Sequence, residues 1–309
     1  MSANLKGAVC LVTGASRGIG RGIALQLGEA GGIVYVTGRN KVDLDKCCSE
    51  IKSRGGQGQA VVMDHGKDAD VEKLFERIKK EQNGKLDILV NNAYAGVNTI
   101  FSNMGKPFWE TPTPEVWDMI NGVGLRGHYI CTVYAARLMV PRKSGLIVNV
   151  SSGGGLRYLF NVAYGVGKAG CDRMAADCAQ ELKKSNVAMI SLWPGPVKTE
   201  MIEKHVLDKA DSDKRSKASF ENGESVEFSG KAVAHLGADQ NIMAKSGRIL
   251  MSADLAREYG FVDNDGQIHG DMREIRTHLA SAGWTTLASL TPSFIRVPHW
   301  LVYYAGYKF

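Results

Sequence analysis

The sequence predicts an α/β fold: a doubly wound parallel sheet in one domain, with a helical layer on each face. Three observations carry this. Short apolar runs alternate with longer amphipathic stretches as far as about residue 200, and parallel strands need such crossover connections. Glycine is in surplus, 36 of 309 residues with no Gly-X-Y period, so it serves tight turns and close backbone approaches. The balance of 44% hydrophobic and 23% charged residues is that of a folded chain and excludes disorder.

Taken in order, the strands are expected at 9–13, 33–37, 60–63, 88–91, 146–150, 188–192 and 247–251, where apolar and β-branched residues cluster. Helical spacing of apolar residues marks 23–30, 71–81, 116–139 and 164–184. Three stretches break the alternation: a polar insertion at 99–114, a charged lid-like segment at 200–227, and everything after residue 253. The expected organisation is therefore a catalytic domain over 1–253 and an extension over 254–309, with an aromatic tail at 284–309.

Charge and cysteine usage narrow the function classes. The net charge of +6 comes without a Lys/Arg stripe interleaved with aromatics, which argues against nucleic-acid binding. The six cysteines, Cys10, Cys47, Cys48, Cys131, Cys171 and Cys178, form no C-x-x-C pair. Neither a zinc site nor a disulfide framework is expected, and no metal. The apolar run at 8–12 is too short for a signal segment, and no stretch offers the ~20 apolar residues of a spanning helix. Reduced thiols in the cytoplasm are the expectation.

The first strand–helix junction reads Thr13-Gly14-Ala15-Ser16-Arg17-Gly18-Ile19-Gly20. Its glycines allow a tight turn and close approach of backbone to a pyrophosphate, and the helix beyond offers free N–H groups. Gly14, Ser16, Arg17, Gly18, Ile19 and Gly20 are the expected dinucleotide contacts of a Rossmann-type fold. NAD binders usually place an acid near the end of the second strand. Here that end is Val36-Thr37-Gly38-Arg39, so Arg39, with Arg17, suits a 2′-phosphate. NADP(H) is favoured over NAD(H). Asp64 ends the third strand, where it can accept from the adenine amino group or cap the following helix.

Tyr164 and Lys168 stand four apart on an expected helix and so share a face. A free phenol is a poor acid–base at neutral pH, and a neighbouring ammonium favours its charged form. Ser151 and Ser152, at the preceding strand end, offer a hydroxyl to a carbonyl oxygen.

With these motifs the sequence resembles the short-chain dehydrogenase/reductases over roughly residues 5–255. The resemblance rests on the glycine loop, Asp64, Asn91-Asn92-Ala93, the serine pair, Tyr164-x-x-x-Lys168, and Pro194-Gly195 followed by Thr199. It implies carbonyl reduction with Tyr164 as proton donor, Lys168 on the nicotinamide ribose and a serine stabilising the developing alkoxide. It also implies cofactor contacts at Asn91, Ala93, Pro194, Gly195, Val197 and Thr199, and a homodimer or homotetramer. A dinucleotide-binding regulator with little turnover is the alternative.

Two positions depart from the family pattern. Tyr94 follows Asn-Asn-Ala where a glycine is usual, and Gly124 stands where the family has an asparagine that holds a relay water. Asn121, one turn earlier, is the candidate substitute. The serine assignment stays open: family spacing from Tyr164 favours Ser151, and strand alignment favours Ser152.

Tyr94, Trp109, Tyr158, Phe160 and Trp193, with Met201, Ile202, Val206 and Leu207 of the lid, are expected to form an apolar pocket for a lipophilic ketone or aldehyde (steroid, retinoid or xenobiotic). The tail holds Trp284, Phe294, Trp300, Tyr303, Tyr304, Tyr307 and Phe309 around Arg296 and Lys308. Pro292 and Pro298 exclude one long helix. A strap over the sheet edge or a subunit contact is the first expectation for it. Peripheral attachment to a membrane, such as the cytosolic face of the endoplasmic reticulum, is the second.

Overall fold

The computed structural model describes residues 3–209, 214–281 and 283–306. The first half alternates strictly: β1 (Val9–Val12), α1 (Gly18–Glu29), β2 (Ile33–Gly38), α2 (Lys41–Ser53), β3 (Gln57–Val62), α3 (Asp68–Glu81) and β4 (Ile88–Asn91). After β4 come α4 (Val97–Ser102), α5 (Glu115–Asn121), a π-helical turn (Gly122–Gly127) and α6 (His128–Met139). Next are β5 (Gly145–Val150), α7 (Val162–Leu182), β6 (Val187–Trp193), α8 (Glu200–Ile202), α9 (Lys214–Glu221), α10 (Val226–Ala238), β7 (Ile249–Met251) and α11 (Ser252–Tyr259). The extension adds α12 (Ile275–Ser281), α13 (Thr285–Leu290) and α14 (His299–Gly306).

All seven strands are parallel, in the order β3-β2-β1-β4-β5-β6-β7. The strand order reverses between β1 and β4, which opens a crevice at their carboxyl ends. Every residue of β1, β4 and β6 is buried, as expected of strands covered on both faces. Alternation splits β1 between two cores: Cys10 and Val12 join Ile23, Val90, Val148 and Phe228 on one face. Val9 and Leu11 join Phe75, Leu89, Cys131 and Met189 on the other.

Three differences from the expected elements have local causes. α2 buries only Leu44, Cys47 and Ile51, a thin stripe among charges, but Asn40 caps it by accepting from Val42 N at 3.0 Å. The single helix expected over 116–139 is interrupted by the π turn, whose three glycines Gly122, Gly124 and Gly127 relax the α register. Much of the segment read as a lid is helical, and its end starts α10, which lies against α1. A Cβ on Gly22 would stand 2.0 Å from Val226 O, so glycine there sets the approach of the two helices.

The extension folds back on itself and on the sheet edge. Ile275 N donates to Ile295 O (3.1 Å) and Val297 N to Arg273 O (2.6 Å). Arg296 pairs with Asp254, and with Asp271 at 2.9 Å. Tyr303 lays its ring 6.2 Å from that of Trp193. Residues 210–213 of the expected lid, and Tyr307, Lys308 and Phe309 of the tail, lie outside the described residues. Among the described residues no helix is long and apolar enough to cross a membrane.

Candidate active site

The loop after β1 is built from backbone freedom and three braces. Gly14 (φ +66°) and Gly18 (φ +58°) adopt left-handed conformations that side chains resist. A Cβ on Gly20 would meet Asn92 Nδ2 and Gly14 O, both at 2.3 Å. Asn92 Nδ2 donates to Thr13 O and Gly14 O at 2.9 Å each. Thr13 Oγ1 accepts from Asn92 N and Ala93 N, and Gly14 N donates to Thr37 Oγ1 (3.2 Å). Thr13, Thr37 and Asn92 thus hold the loop's shape. Nothing in the sequence marks these three for this work, because hydrogen bonds between strand ends are not written in spacing.

Asn91 requires a correction. Expected among the cofactor contacts, it has no exposed surface. Its Nδ2 donates to Asn149 Oδ1 (2.9 Å), Thr132 Oγ1 (3.0 Å) and His128 O (3.3 Å), which ties β4 to β5 and α6. Strand alternation turns residue 91 into the core and its neighbour toward the loop. Asp64 Oδ1 accepts from Gly66 N at 2.9 Å, closing a turn, while Lys67 occupies the α3 N-cap position.

Beside the loop lie two cations. Arg17 and Arg39 are both exposed, and among the described residues neither guanidinium has an acidic partner. A Cβ on Gly38 would stand 3.3 Å from Ser16 Oγ, so the end of β2 abuts the loop and brings Arg39 to its flank. Ser16 and Ile19 are partly exposed there. The loop's own anion seat is taken by the chain: Glu200 Oε2 accepts from Gly18 N at 3.1 Å.

The tyrosine–lysine pair comes from α7. Asn161 caps that helix by accepting from Tyr164 N (2.9 Å), so that it begins at Val162, two residues before the expected boundary. Lys168 is buried and its Nζ donates to Val150 O at 3.0 Å. The Tyr164 ring is partly exposed, with Phe160 edge-on at 5.0 Å and Tyr94 at 6.3 Å. Phe160 is a non-glycine residue in the left-handed region (φ +62°), a costly conformation that the loop holds beside the phenol.

The serines separate. Ser151, preferred from spacing, is buried and donates to Lys168 O at 3.2 Å. Ser152 sits on the rim, where its Oγ accepts from Gly154 N at 3.1 Å. Asn121 packs on α7: Nδ2 donates to Ala163 O (3.1 Å), and a Cβ on Gly167 would stand 2.1 Å from its Oδ1. It braces the turn carrying Tyr164 and Lys168.

Opposite α7, the segment after β6 presents Pro194, Gly195, Val197 and Thr199. Glu224 holds it from beneath, accepting from Gly195 N (3.1 Å) and Ser229 Oγ (2.8 Å). Burial pushes the Glu224 carboxyl up to about 8. Thr199 caps α8 by accepting from Ile202 N. Of the expected pocket aromatics, Tyr94 and Phe160 reach Tyr164. Trp193 does not: it is buried and its Nε1 donates to Asp172 Oδ1 at 3.0 Å, under Tyr303. Trp109 and Tyr158 are largely exposed. The lid reaches α4 through His205, stacked on Phe101 at 4.5 Å.

These features match known proteins. The family model for short chain dehydrogenases matches residues 8–210. The chain is 52% identical over 309 residues to human dehydrogenase/reductase SDR family member 1, covering 98% of each chain. It is also 52% identical to the mouse protein of that name, across the whole of both. A 3-oxoacyl-(acyl-carrier-protein) reductase of Aquifex aeolicus is 34% identical over 203 residues, 65% of this chain and 78% of that one. A solved structure named as a short-chain alcohol dehydrogenase from Sinorhizobium meliloti superposes with a TM-score of 0.68 at 28% identity, over 81% of this chain and 96% of that one. The parallel sheet, its glycine loop and the tyrosine–lysine helix therefore belong to an oxidoreductase of the short-chain dehydrogenase/reductase family, whose members use a nicotinamide cofactor.

Proposed function

We propose that the chain reduces a lipophilic ketone or aldehyde with NADPH. The observation that carries the cofactor choice is a pair of guanidiniums, Arg17 and Arg39, with no acidic partner among the described residues, flanking a glycine loop whose second strand ends without an acid. The left-handed Gly14 and Gly18 keep side chains out of the loop, which supports close approach of a dinucleotide phosphate once the Glu200 carboxylate yields Gly18 N. When bound, the reduced nicotinamide supplies hydride to the carbonyl carbon. Tyr164 gives its proton to the carbonyl oxygen. Lys168, fixed by Val150 O, stabilises the tyrosinate left behind. Ser152, the serine on the rim, donates to the developing alkoxide. Phe160 and Tyr94 flank the phenol with apolar surface, which supports a lipophilic substrate.

NADPH oxidation over a panel of quinones, steroid ketones and aldehydes tests the reading. Tyr164→Phe is expected to lower kcat by about a hundredfold or more. Arg39→Ala is expected to raise KM for NADPH by about tenfold while leaving NADH little changed. Tight NADPH binding with no turnover of any carbonyl would instead make the chain a dinucleotide-binding regulator.

Peripheral membrane contact through the extension is part of the same proposal. Trp284, Leu290, Phe294, Trp300 and Tyr304 are each at least 62% exposed, the composition an interface takes up. Phe294→Glu with Trp300→Glu is expected to abolish co-sedimentation with phospholipid vesicles. Equal sedimentation of variant and parent would dismiss the contact.

A further inference from the structure

We propose that Tyr94 is a positioning residue for Lys168, its ring holding the buried ammonium in a seat that only glycine at position 124 leaves open. The idea builds on the reading of Lys168 as part of the reacting site.

A buried ammonium has three N–H groups to satisfy. Among the described residues, Lys168 Nζ reaches one oxygen, Val150 O at 3.0 Å. The groups facing it are Tyr164, Cys171 and Asp172 on its own helix, His128 on α6, and Tyr94 from the segment after β4. Burial pushes His128 down to about 3 and Cys171 up to about 11, so neither supplies a charge at neutral pH. Asp172 is engaged by Ser191 Oγ (2.5 Å) and Trp193 Nε1 (3.0 Å). Beyond the charge of that carboxylate, the ammonium's neighbours are aromatic: the Nζ lies 5.2 Å from the Tyr94 ring centroid and 5.8 Å from that of Tyr164. Both distances are within cation–π reach.

The ring's place is bought at position 124. A Cβ on Gly124 would stand 2.5 Å from Tyr94 Cδ2 and 2.7 Å from Cε2, so no side chain fits there while the ring stays. Gly124 lies inside the π turn, and its carbonyl accepts from Cys171 Sγ at 3.3 Å. The two departures noted in the sequence are therefore one arrangement, a ring and the absence of a Cβ. Among the described residues the Tyr94 hydroxyl has no hydrogen-bond partner, and burial pushes its pKa up. The ring face, not the hydroxyl, meets the lysine.

The test uses the full chain labelled with 13C-lysine, with Lys168→Arg to assign the signal. The Lys168 Cε protons are expected upfield in the parent and in Tyr94→Phe, and shifted back toward ordinary positions in Tyr94→Leu, where only the Tyr164 ring remains. Turnover should follow: Tyr94→Phe within twofold of the parent, Tyr94→Leu about tenfold lower in kcat with KM for the carbonyl little changed. Gly124→Ala is expected to lower the melting temperature and move the lysine signal in the parent, and to do neither in a Tyr94→Gly background. An unmoved lysine signal in Tyr94→Leu, or Tyr94→Phe falling as far as Tyr94→Leu, would overturn the proposal. If the parent reduces no carbonyl, the functional reading fails, and the lysine signal and the stability cycle still decide the role of the ring.

Discussion

Ser151 and Ser152 differ by one position and by everything their hydroxyls can do. The Ser151 hydroxyl is spent on a buried carbonyl of the same helix that carries Lys168, whereas Ser152 keeps its own on the open side of the loop. Ser152→Ala is expected to lower kcat/KM by about a hundredfold. Ser151→Ala should cost about 1 kcal/mol of stability and leave kcat/KM within severalfold; steady-state kinetics and urea denaturation of the two variants separate these effects. Family spacing from Tyr164 favours Ser151 and strand alignment favours Ser152, so the sequence leaves both open. Tyr164 and Lys168 were legible because a helix turns every residue by a fixed angle, so four apart means one face. No such rule tells which of two adjacent strand-end hydroxyls will find a carbonyl, nor that Asn91 would go inward and Asn92 outward.

At the scale of elements, β1, β4 and β6 declared themselves through apolar runs, since burial on both faces leaves little room for polar residues, whereas β3, which opens on Gln57 and Gln59 and is nowhere fully buried, showed only its apolar second half. The helices with narrow buried faces did not declare themselves. α2 shows three buried positions among charges, and α10 followed a segment whose Lys, Asp and Glu content read as a lid. The packing of α10 on α1 depends on Gly22, where a Cβ would intrude on Val226 O at 2.0 Å. Gly22→Ala gains helix propensity of about 1 kcal/mol, yet overpacking of this severity costs roughly 1–3 kcal/mol. The net expected result is a lower urea midpoint, where an exposed helical glycine would give a higher one. The π turn between α5 and α6 was hidden for a related reason: its glycines read as weak helix, not as the site where the register slips.

For the whole molecule, the question is whether the extension is a passenger or part of the fold. Arg296 sits between two carboxylates, Asp254 at the start of α11 and Asp271 beyond it, and Arg273 pairs with Asp254 at 3.0 Å. Tyr303 covers Trp193, the last residue of β6, the strand beside the sheet's edge strand. Contacts of this kind couple the two parts, so unfolding is expected to be a single transition. Tryptophan fluorescence in a Trp109→Phe, Trp117→Phe background, which reads Trp193 with Trp284 and Trp300, should coincide with far-UV circular dichroism along a urea series. Arg296→Leu should cost about 2 kcal/mol of stability, and so lower that common midpoint, because it leaves buried acids short of a cation. An early fluorescence step, separate from the loss of helix, would mark the extension as an independent layer.

The two cores of the sheet each hold a thiol that water does not reach, Cys10 on one face and Cys131 on the other. Burial pushes both thiols up, Cys131 to about 12, so the native protein offers a thiol reagent almost no nucleophile at either place. Modification must wait for an opening. The parallel sheet thus carries its own pair of clocks: mass-resolved labelling of Cys10 and Cys131 times how often each helical layer lifts from the strands, and whether the two lift together.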